Sequence, residues 1–211
     1  MSRNNFKSDC RSAGISQREF AELYGVMLGD GCLSAYGNGK QAVVVTGSIY
    51  DDRPFFDSVV LPRMCRLRGK NINYRLKPKQ GSVEINFVDG SVFGIFTRLG
   101  FPVGLKGEIR IPSVLIREPL GKHVVSGLFA TDGSFVVTNN NGTMYPRVEF
   151  RSASVTLLKQ IRQVLRRCGM HGGLYPKYTR LQYNGKRNLS TFASRIGFLN
   201  PKHRDKYKHW T

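Results

Sequence analysis

The nine residues Leu23-Tyr24-Gly25-Val26-Met27-Leu28-Gly29-Asp30-Gly31 return, altered, as Val125-Ser126-Gly127-Leu128-Phe129-Ala130-Thr131-Asp132-Gly133. Each copy is an apolar run closed by Asp-Gly. Gly25 and Gly127, Asp30 and Asp132, and Gly31 and Gly133 align at a constant offset of 102 residues. A second pair, Phe96-Thr97-Arg98-Leu99-Gly100-Phe101 and Ala193-Ser194-Arg195-Ile196-Gly197-Phe198, aligns at an offset of 97. Two matches in the same order mark an internal duplication, and two periods are too few for a solenoid. The expected class is α+β, built as a pseudo-two-fold pair of related units.

The first copy sits in a helix. Ser16 with Glu19 three residues later forms a capping-box signature, and Phe20, Leu23, Tyr24, Met27 and Leu28 continue the apolar face to Gly31. Two strand-like segments follow, split by the turn signal Tyr36-Gly37-Asn38-Gly39, then a helix over 51–68, a hairpin around Gln80-Gly81 and a helix over 91–99. The second copy repeats that order. A helix over 123–131 leads to the Asn139-Asn140-Asn141-Gly142 hairpin, where Asn and Gly tolerate positive φ. A strand over 147–151, a helix over 154–168, strand-like 173–183, an Asn184-Gly185 turn and a helix over 189–196 complete it. Each repeat therefore reads α-β-β-α-β-β-α. The expected divisions are a polar N-terminal tail over 1–15, a first repeat over 16–118, and a second repeat over 119–211 that ends in a basic C-terminal tail.

Composition narrows the partner. The 211 residues carry 33 Lys and Arg against 14 Asp and Glu, a net charge of +19. Residues 1–122 hold 18 basic and 11 acidic groups, and residues 123–211 hold 15 and 3. A chain this basic, with 40% hydrophobic residues to form a core, points to a polyanion such as nucleic acid. No strongly basic amphipathic stretch argues for a membrane surface. No apolar run reaches the roughly 18 residues of a span, and the N-terminus lacks the apolar region of a signal peptide. Cys10, Cys32, Cys65 and Cys168 show no C-x-x-C spacing, and His123, His171, His203 and His209 are scattered, so no zinc site is expected. Unpaired thiols fit a reducing compartment, and the expected location is cytoplasmic, in contact with the nucleoid.

The repeated Asp carries the chemistry. It falls at the last turn of its helix, where the macrodipole makes a carboxylate unfavourable by roughly 0.3–1 kcal/mol. A divalent cation reverses that sign. The following Gly suits a left-handed position beyond the helix end. Gly25 and Gly29, matched by Gly127 and Thr131, put small residues on one helix face and allow the two motif helices to pack closely. Asp30 and Asp132 then become neighbours. Two close carboxylates repel unless they share a metal or a proton, and that pairing suits metal-assisted phosphodiester hydrolysis, one Asp for each scissile strand.

These residues resemble the LAGLIDADG homing endonuclease family in its two-motif, single-chain form. Leu23, Gly25, Asp30 and Gly31 match the nine-residue pattern in the first copy, and Gly127, Asp132 and Gly133 in the second, with Val125 in place of Leu. The first acidic position of the pattern is apolar here, as Leu28 and Ala130. The helix–strand order extends the resemblance over about residues 18–205, and the basic composition resembles archaeal intron-encoded members. The resemblance implies a saddle of two antiparallel sheets astride DNA with the motif helices at its centre. It implies Mg²⁺-dependent double-strand cleavage across the minor groove at a long, asymmetric target, as in intron homing, leaving short 3′ overhangs. It further implies metal ligation by Asp30 and Asp132, aided by the backbone carbonyls of Gly29 and Thr131. A basic residue near the centre is expected from Lys186 or Arg187, with no counterpart in Asp89-Gly90-Ser91, and Ser48 and Ser152 are candidates for positioning water.

Double-stranded DNA would be read from the exposed sheet faces, since a β-ribbon fits the major groove. The candidates are Lys40, Gln41, Arg75, Lys77, Lys79, Asn140, Arg147, Glu149, Arg151, Lys177, Tyr178, Arg180 and Gln182, with Lys202 and Arg204 of the basic tail on phosphate. A monomer is expected to read two unequal half-sites. The alternative is the same fold acting as an RNA-splicing maturase, with its own intron RNA as partner, or as a non-cleaving DNA-binding regulator.

Overall fold

The computed structural model describes residues 3–210 apart from Asn38, Pro176 and Tyr178. The turn residue Asn38, the candidate Tyr178 and the side chain of the candidate Asn140 lie outside the described residues. The first half runs α1 (Arg3–Ser12), α2 (Gln17–Asp30), β1 (Gly31–Ala35) and β2 (Gln41–Ser48). It continues with one helical stretch made of α3 (Arg53–Phe55), a π turn (Phe56–Val60) and α4 (Leu61–Arg68), then β3 (Tyr74–Lys77), β4 (Ser82–Val88) and α5 (Gly90–Arg98). The second half runs α6 (Ser113–Ile116), α7 (Leu120–Asp132), β5 (Gly133–Asn140), β6 (Thr143–Arg151), α8 (Val155–Arg167), β7 (Gly173–Tyr175), β8 (Arg180–Asn184), α9 (Lys186–Arg195) and α10 (Pro201–Trp210).

Each half forms a four-stranded antiparallel sheet in the order first–second–fourth–third, β1-β2-β4-β3 and β5-β6-β8-β7. The strands alternate, as a sheet with one covered face must. In the first sheet Leu33, Val43, Val45, Val83, Ile85 and Phe87 turn inward, and in the second Phe135, Val148, Phe150, Leu181 and Tyr183 do so. The expected hairpin forms at Asn141 and Gly142, with φ of 50° and 84°, and the duplicated α+β plan holds.

The N-terminal segment is not a tail. It folds as α1, whose Phe6 and Cys10 are 0% and 2% exposed, and Phe6 meets Phe20 edge-on at 5.3 Å. Phe6 and Cys10, four residues apart, are a one-sided apolar face in an otherwise polar run. The C-terminal tail is likewise a helix, held by Tyr207 against Phe198 at 5.3 Å and by Trp210 against Phe135 at 6.1 Å. Of the described residues, no helix is long and apolar enough to cross a membrane.

The repeated Gly-Phe segments have one job in both halves. Gly100 and Gly197 take left-handed conformations, φ 83° and 81°, and end α5 and α9. The amides of Phe101 and Gly197 then bond back to Phe96 and Phe192 carbonyls at 3.0 and 2.9 Å. Each turn sends the chain back toward the ends of the motif helices.

Candidate active site

The motif helices α2 and α7 pack side by side, C-terminal ends together, because their glycines remove the atoms that would part them. A Cβ on Gly25 would fall on the Val124 carbonyl oxygen and lie 2.6 Å from the Leu128 nitrogen. One on Gly127 would fall on the Glu22 carbonyl, and one on Gly29 would meet Thr131 Oγ1 and lie 3.2 Å from Asp132 Cγ. At the far end of this interface the buried Glu22 carboxylate gathers Arg63 Nη2 at 2.6 Å, Arg18 Nε at 3.0 Å and His123 Nδ1 at 3.2 Å, tying α2, α4 and α7 together.

Gly31 and Gly133 are not left-handed. Both are extended, with φ −88° and −79°, and each begins a strand directly. They are glycines because a Cβ on Gly31 would sit 2.5 Å from Met27 Cα and one on Gly133 would strike the Phe129 ring. Close packing, not positive φ, selects the residue, and it lets the strand leave without displacing the carboxylate before it.

Asp30 is partly buried and Asp132 opens to solvent at the two helix ends. Desolvation, then repulsion from Asp132 and Asp52, pushes the Asp30 carboxyl up to about 7 against the opposing pull of Lys106 and Lys202. Asp132 is also raised by desolvation, with Lys106 acting against it. The structure therefore brings together the two acids that the sequence singles out, with the Asp132 charge opposing ionisation of Asp30 and Lys106 partly offsetting it. Thr131 Oγ1 is engaged with the Leu128 carbonyl at 2.9 Å. Among the described residues no three His, Cys, Asp or Glu side chains converge.

Two lysines that the sequence reading did not place here complete the site. Lys106, on the connection between the halves, donates from Nζ to the carbonyls of Leu28, at 3.1 Å, and Gly29. The Gly29 carbonyl assigned above to a metal is thus engaged by an ammonium. Burial lowers the Lys106 pKa, opposed by Asp132 and Asp30. The connection is fixed on both sides: Gly104 N–H bonds Leu33 O at 2.8 Å, and Gln160 clamps the Ile111 backbone through bonds of 2.7 and 2.9 Å. Lys202, expected on phosphate in a tail, instead pairs with Asp52 Oδ1 at 2.7 Å and adds its field to Asp30. The available signal was that a lysine follows each Gly-Phe segment, five residues after Phe101 and four after Phe198.

Lys186 and Arg187 do not reach the carboxylates. In the second sheet Leu181 is level with Gly133 through Phe150, and Asn184 is level with Val136 through Arg147. Lys186 therefore lies past the far end of β8, on the order of 10 Å or more along the strand, with Nζ 5.9 Å from the Trp210 ring centre. Ser48 and Ser152 are turn residues. Ser48 Oγ accepts from the amides of Tyr50 and Asp51 at 3.2 Å each, and Ser152 Oγ accepts from Ser154 N at 3.1 Å.

The sheet faces sort the remaining candidates. Arg75, Lys77, Arg147, Arg151 and Arg180 share the solvent face, by register and alternation. Lys77 pairs with Glu84 at 2.6 Å, and Arg180 lies over the Tyr175 ring at 5.2 Å. Glu149 is buried between Arg147, at 3.5 Å, and Arg151, at 3.9 Å, so it orders arginines rather than meeting bases. Gln182 is buried against Asn184. Gln41 has the core-side parity of Val43 and Val45, with Oε1 beside Gly90. Lys79 and Lys177 lie in connections rather than strands, Lys40 in the β1–β2 turn, and Arg204 is exposed on α10.

Residues 123–197 match the family model described as a LAGLIDADG-like domain. No curated protein matches the chain in sequence. Among solved structures, mesophilic variants of the homing endonuclease I-DmoI match with a TM-score of 0.62 at 15% identity, over 87% of this chain and 98% of that one. I-DmoI in complex with DNA and Mn gives 0.61 at 14% identity, over 86% and 97%. The I-LtrWI LAGLIDADG homing endonuclease bound to target DNA gives 0.59 at 9% identity, over 90% and 88%. At such identities the likeness is one of fold. The second half of the chain is thus similar to a LAGLIDADG-like domain, and the two halves with the helix pair between them share the fold of the homing endonucleases I-DmoI and I-LtrWI.

Proposed function

We propose that the chain is a site-specific DNA endonuclease that makes metal-dependent double-strand breaks at a long, asymmetric target and leaves short 3′ overhangs. The observation that carries this reading is the convergence of two helix-end carboxylates and two lysines at the seam of a duplicated fold. Solved relatives of that fold hold DNA with Mn, Ca or Mg. The acids fit a hard divalent cation, Mg²⁺ being the one proposed. Their repulsion and the negative helix ends favour positive charge, and with no third acidic, His or Cys side chain converging among the described residues, phosphate and water would complete the shell. When bound, such an ion neutralises charge at the scissile phosphate and makes water more acidic.

The chain's own groups do the rest. Asp30 and Asp132 would hold the cation, and their placement at adjacent helix ends would let phosphodiester bonds on opposite strands be served from one centre. Lys106 and Lys202 offer ammonium groups to the charge that develops on phosphate oxygens. Arg147 and Arg151, ordered by Glu149, and Arg75 and Arg180 on the sheet faces position DNA. Because the halves differ in sequence, one chain reads two unlike half-sites as a monomer, within the cytoplasm.

A randomised DNA-site library, incubated with Mg²⁺ and separately with EDTA, tests the reading. Cutting at one long sequence only with the metal supports it, and the absence of cutting with either Mg²⁺ or Mn²⁺ overturns it. Asp30→Asn and Asp132→Asn should each abolish double-strand cleavage while DNA binding persists. One observation favours a second reading, RNA-splicing activity with intron RNA as partner. The outer face of α8 presents Lys159, Arg162, Arg166 and Arg167, and that helix contains no acid. Tight binding of structured RNA that target DNA does not displace would support it.

A further inference from the structure

Asp52 is the polar hub that joins the halves. It lies between β2 and α3 and is 7% exposed. Its Oδ2 accepts the Ser48 amide at 3.0 Å, and its Oδ1 accepts both Asn200 Nδ2 at 2.8 Å and Lys202 Nζ at 2.7 Å. Asn200 is wholly buried. Its Nδ2 also donates to the carbonyl of Ala130, in the last turn of α7, at 2.9 Å, and its Oδ1 accepts the Lys202 amide at 3.1 Å. A carboxylate of the first half thus fixes a lysine of the second half at the motif-helix ends.

The other half is built differently. The position preceding α8, which corresponds to Asp52, is Ser154. Its uncharged hydroxyl meets Ile109 O at 2.7 Å and caps Leu157 N at 3.1 Å. Lys106 is held by helix-end carbonyls, not by an acid. The α7 carbonyl of Ala130, which matches Leu28 in the repeat, is met by Asn200 rather than by a lysine. The two lysines are therefore restrained by unlike means.

We propose that Asp52 is a positioning residue that commits Lys202 to one of the two strand cleavages, so that each phosphodiester bond is cut with a differently held lysine. This rests on the nuclease reading. A lysine is a point charge on a flexible four-carbon stem, and a small misplacement of a group at a reacting centre can cost on the order of a hundredfold in rate. Removing the Asp52 charge frees Lys202 and leaves Lys106 in place.

The test uses the DNA site recovered from the library, with each strand labelled separately and Mg²⁺ present. Asp52→Asn should slow cleavage of one strand by about a hundredfold and the other by no more than a few-fold, so that nicked product accumulates. Lys202→Met, which keeps the Asp52 bonds to Ser48 and Asn200, should slow the same strand. The double variant should be no slower than Lys202→Met alone, because the two residues act as one unit. Lys106→Met should slow the opposite strand. Thermal unfolding and DNA binding of each variant separate a folding defect from misplacement, since loss of folded protein lowers both strands together. Equal slowing of both strands, or slowing of different strands by Asp52→Asn and Lys202→Met, overturns the proposal while the nuclease reading stands. A wild-type protein that cuts neither strand removes both.

Discussion

At the scale of single residues, the two motif aspartates destabilise the fold they serve. Asp30 has a folded pKa near 7 against an ordinary value of 3.8, through desolvation first and then the neighbouring Asp132 and Asp52 charges. A carboxyl raised in the folded state favours folding most when it is protonated. That contribution is full below about pH 4 and is lost as pH rises through 7. The metal-free wild type should therefore lose melting temperature over that window relative to Asp30→Asn, and the two should converge near pH 4. Added Mg²⁺ should restore the wild type at pH 8 and leave the variant unmoved. Calorimetric melts from pH 4 to 8 measure this, and parallel curves for the two proteins would remove the repulsion argument. The acids were legible in the sequence because they stand in both copies of one motif. Lys106 was not, because it belongs to an irregular connection whose path depends on contacts with Leu33 and Gln160, far away in the chain.

At the scale of elements, most helices and strands follow from local pattern: the Ser16–Glu19 capping box forms as read, and so does the Ser154 cap. The two helices missed at the chain ends are nearly polar throughout, and only tertiary partners reveal their faces. Phe6→Ala should cost about 3 kcal/mol or more in unfolding free energy, as removal of a buried aromatic does, whereas the true tail that the sequence suggested would tolerate it. Denaturant titration separates the two. The glycines of the motif make the opposite point. Their spacing announced close approach, and the approach is real, but the Asp-Gly step is extended rather than left-handed because the helix passes straight into β1 and β5. Gly127→Ala must push its methyl into the Glu22 carbonyl. It should destabilise by about 1–3 kcal/mol through overpacking and, by parting α2 from α7, slow cleavage of both strands alike. That equal loss distinguishes it from the strand-selective loss expected of Asp52→Asn.

At the scale of the whole molecule, the net charge of +19 is divided unequally, +7 in residues 1–122 and +12 in residues 123–211. The first half holds several of its basic groups in internal pairs, Arg63 with Glu22, Arg66 with Glu19, Arg68 with Asp89, Lys77 with Glu84 and Arg98 with Asp9. The second half has only Asp132, Glu149 and Asp205 as acids against 15 Lys and Arg from residue 123 onward. The pseudo-symmetry of backbone is thus not a symmetry of potential. Counterion release makes the salt dependence of DNA binding a count of phosphate contacts, with a slope of about 0.9 per contact in log affinity against log salt. Replacing Arg147, Arg151 and Arg180 together by Gln should flatten that slope by up to about 3. Replacing Arg66 and Arg68 by Gln should leave the slope nearly unchanged and lower thermal stability instead, because those side chains serve the fold. Anisotropy titrations of labelled duplex across a range of KCl concentrations resolve the two. Equal flattening by both sets would mean that the ion pairs of the first half open on binding and that both halves contribute alike to the field that draws DNA in.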